Sequence, residues 1–295
     1  MSTASEEVGL GGANSPPNEW RIGFILVRSG RLKKDDVPRV IQMQRQNGLR
    51  FGDAAIALGV IGEGDVRFAL AHQFDYPYVT HDDSKLSRQL VAAYQPASSE
   101  AEQLRGLRSQ LILRWFDVND ARRRAIAIAG PDRHIGRSRL AANLAVTFSQ
   151  LGKKTVLIDG DLRRSTQHEL FGLSNRHGLS EVLSGRIVLS AAVQRTQALP
   201  NLAVLTAGAK PPNPQEMLSR GGFATLMDSL RGSADVVIVD TPAYSETSDS
   251  QIIAKTTIGA LVMAKKGLSR ANMLLGCVGG LKAAGADLLL SVLVT

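Results

Sequence analysis

Three short stretches of this 295-residue chain carry side chains suited to handling phosphate. The first is Gly136-Arg137-Ser138-Arg139, set between an apolar run at 125–130 and an amphipathic stretch. A turn leading from a strand into a helix presents backbone N–H groups to an anion, a basic side chain reaches phosphate oxygens, and a hydroxyl holds magnesium. The second stretch, VLIDGDLRR, carries Asp159 and Asp161 followed by Leu162, Arg163 and Arg164, and the third, VVIVDTPA, carries Asp240. All three aspartates sit where an apolar run ends. Carboxylates at strand ends converge on the crevice where open α/β sheets bind ligands, and there they position magnesium and accept a hydroxyl proton. The loop before Arg137 departs from a standard phosphate loop in three ways. Arg137 stands where lysine is usual, His134 and Ile135 stand where small residues are usual, and Asp132 puts a negative charge beside the expected phosphates. A planar guanidinium is not equivalent to the point charge of lysine, so a weakened nucleotide site is expected.

The elements that must position these residues follow from periodicity. Six apolar runs, 125–130, 155–160, 202–208, 235–240, 259–265 and 288–294, read as strands and alternate with amphipathic stretches. That alternation predicts an α/β fold, a P-loop NTPase-like, mostly parallel sheet with helices on both faces. Leu140, Leu144, Phe148 and Leu151 recur at helical spacing and predict one buried stripe on the helix after the loop. Ahead of this lies a small, mainly helical N-terminal domain. The expected division is a disordered tail at 1–18, a helical module at 19–80, a linker at 81–98 and the P-loop domain at 99–295.

The N-terminal module contains a repeat. Residues 21–44 and 50–73 match at an offset of 29, with Arg21/Arg50, Gly23/Gly52, Gly30/Gly59, Asp36/Asp65, Val37/Val66 and Gln44/Gln73 coinciding. A fixed-offset self-match signals duplication. Each copy reads as a short helix, a glycine turn and a second helix, with Asp35 or Asp36 and Pro38 marking a helix start. Ala54 and Ala55 stand where the first copy has Ile25 and Leu26, which predicts a weaker pocket in the second copy.

Bulk composition sets the remaining bounds. Hydrophobic content of 44% and charged content of 21% are ordinary for a globular protein. The single cysteine, Cys277, forms no intrachain disulfide and fits a reducing compartment. The first residues lack the basic and apolar regions of a secretory signal, and no apolar run approaches the ~20 residues of a membrane span. A cytoplasmic protein is expected, with any membrane association made through a partner. The net charge of +8 favours anionic ligands, but no basic patch is interleaved with aromatics, so nucleic acid is not an expected partner.

From residue 99 to the end the chain resembles the bacterial tyrosine kinases of polysaccharide export. The resemblance rests on the Asp159/Asp161 motif with its arginines, on FGLSNRHGLSEVLSG, LTAGAKPPNPQEMLS and DVVIVDTPA in order, and on EQLRGLR near residue 102. The pairing of this domain with the N-terminal module is similar to the EpsG-type chain-length-determinant tyrosine kinases, whose members generally carry arginine after the loop glycine. The resemblance implies ATP and magnesium as cofactors, Gly136, Arg137, Ser138 and Arg139 on nucleotide, Asp159 as base, and Ser138, Asp161 and Asp240 on the metal. It implies a ring-forming homo-oligomer held through Glu102, Arg105 and Arg108, and a membrane polysaccharide copolymerase as partner. The family's C-terminal tyrosine cluster is missing: the four tyrosines are Tyr76, Tyr78, Tyr94 and Tyr244. The N-terminal module resembles that of type II secretion and pilus assembly ATPases, one branch of which binds cyclic di-GMP through tandem motifs. By that resemblance Arg21, Gly23 and Gln44, with Arg50, Gly52 and Gln73, would contact the dinucleotide. The expectation is a kinase-derived regulator of exopolysaccharide chain length or export with a degenerate ATP site. An active protein-tyrosine kinase is the alternative. A MinD- or ParA-like positioning ATPase ranks last, because Asp132 stands where those proteins carry an additional lysine.

Overall fold

The computed structural model describes residues 18–73, 79, 85–116 and 119–295. The tail expected at 1–18, save its last residue, and the first part of the expected linker, 81–84, lie outside the described residues. The chain forms two compact units, Met1–Tyr78 and Val79–Thr295.

Among its described residues the first unit holds four α-helices: α1 (Asn18–Arg28), α2 (Val37–Asn47), α3 (Phe51–Ala57) and α4 (Glu63–Gln73). The helix–turn–helix expected for each copy is present twice. Gly30 and Gly59, equivalent under the 29-residue offset, break the two helix pairs at φ of 73° and 66°, a backbone region costly for other residues. The two copies also share one core. Leu26, Leu32 and Val40 are buried, and so are their equivalents Ala55, Ile61 and Ala69. Asp36 immediately precedes α2, with Pro38 in its first turn, but its carboxylate accepts from Arg39 Nη1 at 3.0 Å instead of capping the backbone. Its equivalent, Asp65, accepts from Gly62 N at 2.9 Å and from Arg31 Nη1 at 2.7 Å.

The second unit contains, in order, α5 (Val91–Tyr94), α6 (Ser99–Leu111), β1 (Ala125–Ala129), α7 (Arg137–Gln150), β2 (Thr155–Asp159), α8 (Gln167–Phe171), α9 (Leu179–Leu183), α10 (Leu189–Ala192), β3 (Gln194–Arg195), β4 (Leu202–Leu205), α11 (Pro214–Ser219), α12 (Gly221–Ser233), β5 (Val236–Asp240), α13 (Asp249–Thr257), β6 (Gly259–Lys265), α14 (Ala271–Ala283) and β7 (Asp287–Val294). All six expected strands are present in a seven-stranded sheet of order β3-β4-β2-β5-β1-β6-β7. Every pairing is parallel except that of the short β3 with β4. The continuous apolar runs reflect cover on both faces. In β1, Ile126 and Ile128 face one core while Ala125, Ala127 and Ala129 face the other. Cys277 lies in the second core, where burial pushes its thiol up to about 11.

Two expectations are corrected. Helix α7 has no single apolar stripe: nearly its whole length is buried, including Asn143, Thr147, Ser149 and Gln150, whereas Leu151, just past its end, is exposed. The reason is that the stretch read as a linker packs over it. Leu86, Leu90, Ala92, Ala93 and Tyr94 are buried with Leu144 and Phe148 in one core. Asn143 Oδ1 accepts from Ala92 N at 3.0 Å while its Nδ2 donates to Gln89 O at 2.9 Å. Gln150 Nε2 donates to Ala92 O at 2.8 Å, and Ser87 N donates to Leu170 O at 2.8 Å. Polar side chains on the outer face of α7 thus satisfy the buried N–H and C=O of Ala92, which would otherwise lack partners.

Candidate nucleotide site

The loop from 130 to 136 joins β1 to α7 at the C-terminal edge of the sheet, where Gly136 is the left-handed residue preceding the helix, with φ of 92°. His134 also lies in left-handed space, at φ of 57°, although it is not glycine. A cavity of about 600 Å³ opens beside this loop, with Arg133, Gly136, Ser138, Asp161, Arg164 and Glu246 among its lining residues. Arg137 and Arg139 also line it. Four arginines around a helix N-terminus make a basic cleft suited to a polyphosphate.

Arg137 is not free in that cleft. It is only 8% exposed, and its guanidinium is folded back onto the protein. Nε donates to Thr241 O at 2.5 Å and Nη1 donates to Asp132 O at 3.1 Å. Its Nε lies 3.9 Å from Asp240 Oδ1. The planar fork spans two carbonyls at once, which a lysine ammonium could not do from the same stem.

The strand register brings the carboxylates together. Asp159 ending β2 is paired directly with Asp240 ending β5. Between Asp159 and Asp161 only glycine fits, because Gly160 N donates to Asp240 O at 2.9 Å and a Cβ there would lie 2.5 Å from that same oxygen. Both Asp159 and Asp240 are fully buried. Burial raises the pKa of Asp159 well above the ordinary carboxylate range, helped by the charge of Asp240 and opposed by backbone N–H groups. Burial raises Asp240 as well, against the pull of Arg137. Asp161, half-buried, is raised by the same cause.

Their roles differ from expectation in one respect. Asp159 does not line the cavity: its Oδ2 accepts from Thr166 N and Gln167 N at 2.9 and 3.0 Å, and its Oδ1 accepts from Asp161 N at 3.3 Å. It organises the turn into α8, and of the three strand-end aspartates Asp161 is the one that lines the cavity. Asp240 Oδ2 accepts from Gln167 Nε2 at 2.8 Å, but its Oδ1 is buried without a hydrogen-bond partner. That oxygen, offset only by the Arg137 guanidinium at 3.9 Å and by the nearby Ser138 hydroxyl, fits a hard cation together with Asp161. Among the described residues no cluster of three His, Cys, Asp or Glu side chains could hold a metal alone. Magnesium takes one or two carboxylates and completes its shell with substrate phosphates and water.

Three residues that the sequence reading passed over belong to the site. Gln167 bridges Asp240 and the Ser138 carbonyl, the latter at 3.1 Å. Glu246 pairs with Arg133 and with Arg164. Buried Asp249 accepts from Arg163 Nε at 2.9 Å. Only the Leu162-Arg163-Arg164 run gave a signal, as two adjacent cations awaiting anionic partners.

The other expected sites divide. In α6, Arg105 Nε donates to Glu102 Oε2 at 3.0 Å, Arg105 Nη1 to Pro96 O at 2.7 Å, and Arg108 Nη1 to Thr147 O at 2.9 Å. The arginines of this element therefore hold their own chain, while Glu102 remains exposed. In the first unit, Gly23 and Gln44 line one cavity of about 510 Å³ with Phe24, Lys34, Arg45 and Phe51. The side chain of Arg21 lies outside the described residues. In the second copy Gly52 is packed against Val66, Arg50 is exposed at the start of α3, and Gln73 Oε1 is buried without a partner.

Strand–loop–helix, basic cleft and paired strand-end carboxylates define a P-loop NTPase-like α/β domain. No protein-family model matches the chain. Over 160 residues, 54% of this chain and 68% of the relative, it is 38% identical to the putative tyrosine-protein kinase CapB of Staphylococcus aureus. Over 184 residues, 62% of this chain and 76% of the relative, it is 36% identical to the tyrosine-protein kinase YwqD of Bacillus subtilis. The kinase domain of Escherichia coli tyrosine kinase ETK superposes with a TM-score of 0.66 at 32% identity, over 70% of this chain and 79% of that one. The chain belongs to the bacterial tyrosine-protein kinase family.

Proposed function

We propose that this protein is a kinase-derived regulator of exopolysaccharide chain length or export, binding Mg-ATP weakly and transferring phosphate poorly or not at all. The observation that carries this reading is the engagement of Arg137. Phosphoryl transfer depends on a cation that reaches the β- and γ-phosphates, and catalysis there is mostly positioning and electrostatics. A guanidinium already bound to Thr241 O and Asp132 O must be released before it can serve. Asp161 and Asp240 with Ser138 would hold magnesium, and Gly136, Arg137 and Arg139 would meet the phosphates. The retained carboxylates favour the alternative of an active ATP-dependent tyrosine kinase.

In the same reading the N-terminal unit senses cyclic di-GMP. Support comes from the first-copy cavity, where an apolar floor, Phe24 and Phe51, an amide on Gln44 and the cations Lys34 and Arg45 suit a flat anionic dinucleotide. A membrane copolymerase as partner and a ring of like subunits through α6 complete the proposal. No helix among the described residues is long and apolar enough to cross a membrane, so a cytoplasmic protein would reach the bilayer through that partner.

Calorimetry with Mg-ATP and an assay for phosphotyrosine test the reading. Weak ATP heat lost in Asp161→Asn, no phosphotyrosine, and recovery of either signal in Arg137→Lys are expected. Tyrosine phosphorylation by the natural chain, dependent on Asp161, would return it to the active kinases. Cyclic di-GMP heat lost in the double variant Arg21→Ala, Arg50→Ala tests the sensor.

A further inference from the structure

Glu246 is one of three carboxylates, with Asp161 and Glu169, on the wall of the cavity that four arginines line. It lies six residues beyond Asp240, and its segment is fixed against the phosphate loop by Tyr244 N donating to Gly130 O and Ser245 N donating to Pro131 O, each at 3.0 Å. From there its side chain takes two cations from different elements. Arg133 of the phosphate loop brings its Nε against Oε1 as an ion pair, without hydrogen-bond geometry. Arg164, following the Asp159/Asp161 motif, donates from Nη1 to both Oε1 and Oε2 at 3.2 Å. All three side chains line the same cavity, and all are partly exposed, at 31% for Glu246, 37% for Arg133 and 58% for Arg164. Partly exposed ion pairs are screened by water and individually weak, so they can be exchanged for a stronger anion. A polyphosphate offers several oxygens to the same guanidinium groups.

We propose that Glu246 is a positioning residue that competes with the nucleotide polyphosphate for Arg133 and Arg164, and so sets nucleotide affinity. The proposal rests on the reading of this cavity as the nucleotide site. With Glu246 in place the two arginines are neutralised. Binding must break both pairs before the arginines can turn to phosphate, and release of the nucleotide lets the pairs reform.

The experiment is calorimetric titration of the full chain with Mg-ATP, comparing the natural protein with Glu246→Gln, each also in a background carrying Arg133→Gln and Arg164→Gln. Glu246→Gln is expected to tighten ATP about tenfold, and the double arginine background is expected to abolish that gain. A gain that persists without the arginines would show simple repulsion between Glu246 and phosphate, and would overturn the competition. Equal affinity in Glu246→Gln and the natural chain would overturn it while leaving the nucleotide reading intact. Absence of ATP heat in all four proteins would overturn both.

Discussion

Replacing Asn143 by alanine tests how the segment at 85–95 is held. Asn143 is 1% exposed and makes three side-chain hydrogen bonds, accepting from Ala92 N and donating to Gln89 O and Arg139 O. Gln89 is exposed, so its carbonyl can turn to water, and the Arg139 carbonyl belongs to α7 itself. The costly loss is the acceptor for Ala92 N, since Ala92 is buried. An unsatisfied buried donor costs about 1–3 kcal/mol, and the space left by the amide adds roughly 1 kcal/mol. Better helix propensity of alanine returns about 0.5 kcal/mol. Asn143→Ala should therefore lose about 1.5–3.5 kcal/mol in urea unfolding, or roughly 3–14 °C in Tm for a unit of this size. Gln150→Ala, which removes one donor from the Ala92 carbonyl, should lose less. Native-state hydrogen exchange should show faster exchange at the Ala92 amide in Asn143→Ala. A variant within 0.5 kcal/mol of the natural chain, or a larger loss for Gln150→Ala, would refute this account. Because Ser87 and Gln89 line the nucleotide cavity, the same variant should weaken ATP binding.

Other outcomes follow from the site and the cores. Burial raises the Asp240 carboxyl, so its stabilising contribution is complete below the ordinary carboxylate value and is lost as pH rises through its higher folded value. Asp240→Asn should therefore gain stability over the natural chain on going from pH 5 to pH 7.5, each tenfold displacement of the equilibrium being worth ~1.4 kcal/mol, and Tm across that range checks it. An advantage that grew on acidification would contradict the assignment. His134→Gly removes a left-handed non-glycine residue and should raise stability by about 1 kcal/mol in urea unfolding. Cys277, with its thiol pushed up to about 11 by burial, should react with a disulfide reagent at pH 8 only as the unit unfolds.

The six main strands and the three aspartates were legible because apolar runs ending in a carboxylate are a local pattern. So was the duplication, since its marks are matched residues at one offset. Strand β3 was not legible, because Gln194 and Arg195 have no apolar signature and join the sheet only through β4. The segment at 85–98 read as a linker for a related reason. Its polar surroundings hide Leu86, Leu90 and Tyr94, and its partners Asn143 and Gln150 look like ordinary solvent-facing residues until something covers them. Asp159 shows another limit. Its place at a strand end was correct, but whether its oxygens met substrate or backbone depended on how 160–167 turned. Glu246 could not be read at all, since its two cations come from 82 and 113 residues earlier in the chain.

The shared core of the two N-terminal repeats has a consequence for how that unit could have arisen and can still change. A lone copy would leave Leu26, Leu32 and Val40 facing water, so a single ancestral copy would have needed a twin chain to shield them. Once the copies were joined, each could drift provided the other compensated. The smaller Ala54 and Ala55 take the places that Ile25 and Leu26 hold in the first copy, and Phe51 from the second copy closes over Gly23 of the first. The copies have thus become complementary rather than identical, and exchanging one for a duplicate of the other should give a chain with either a gap or a clash where Phe51 now sits.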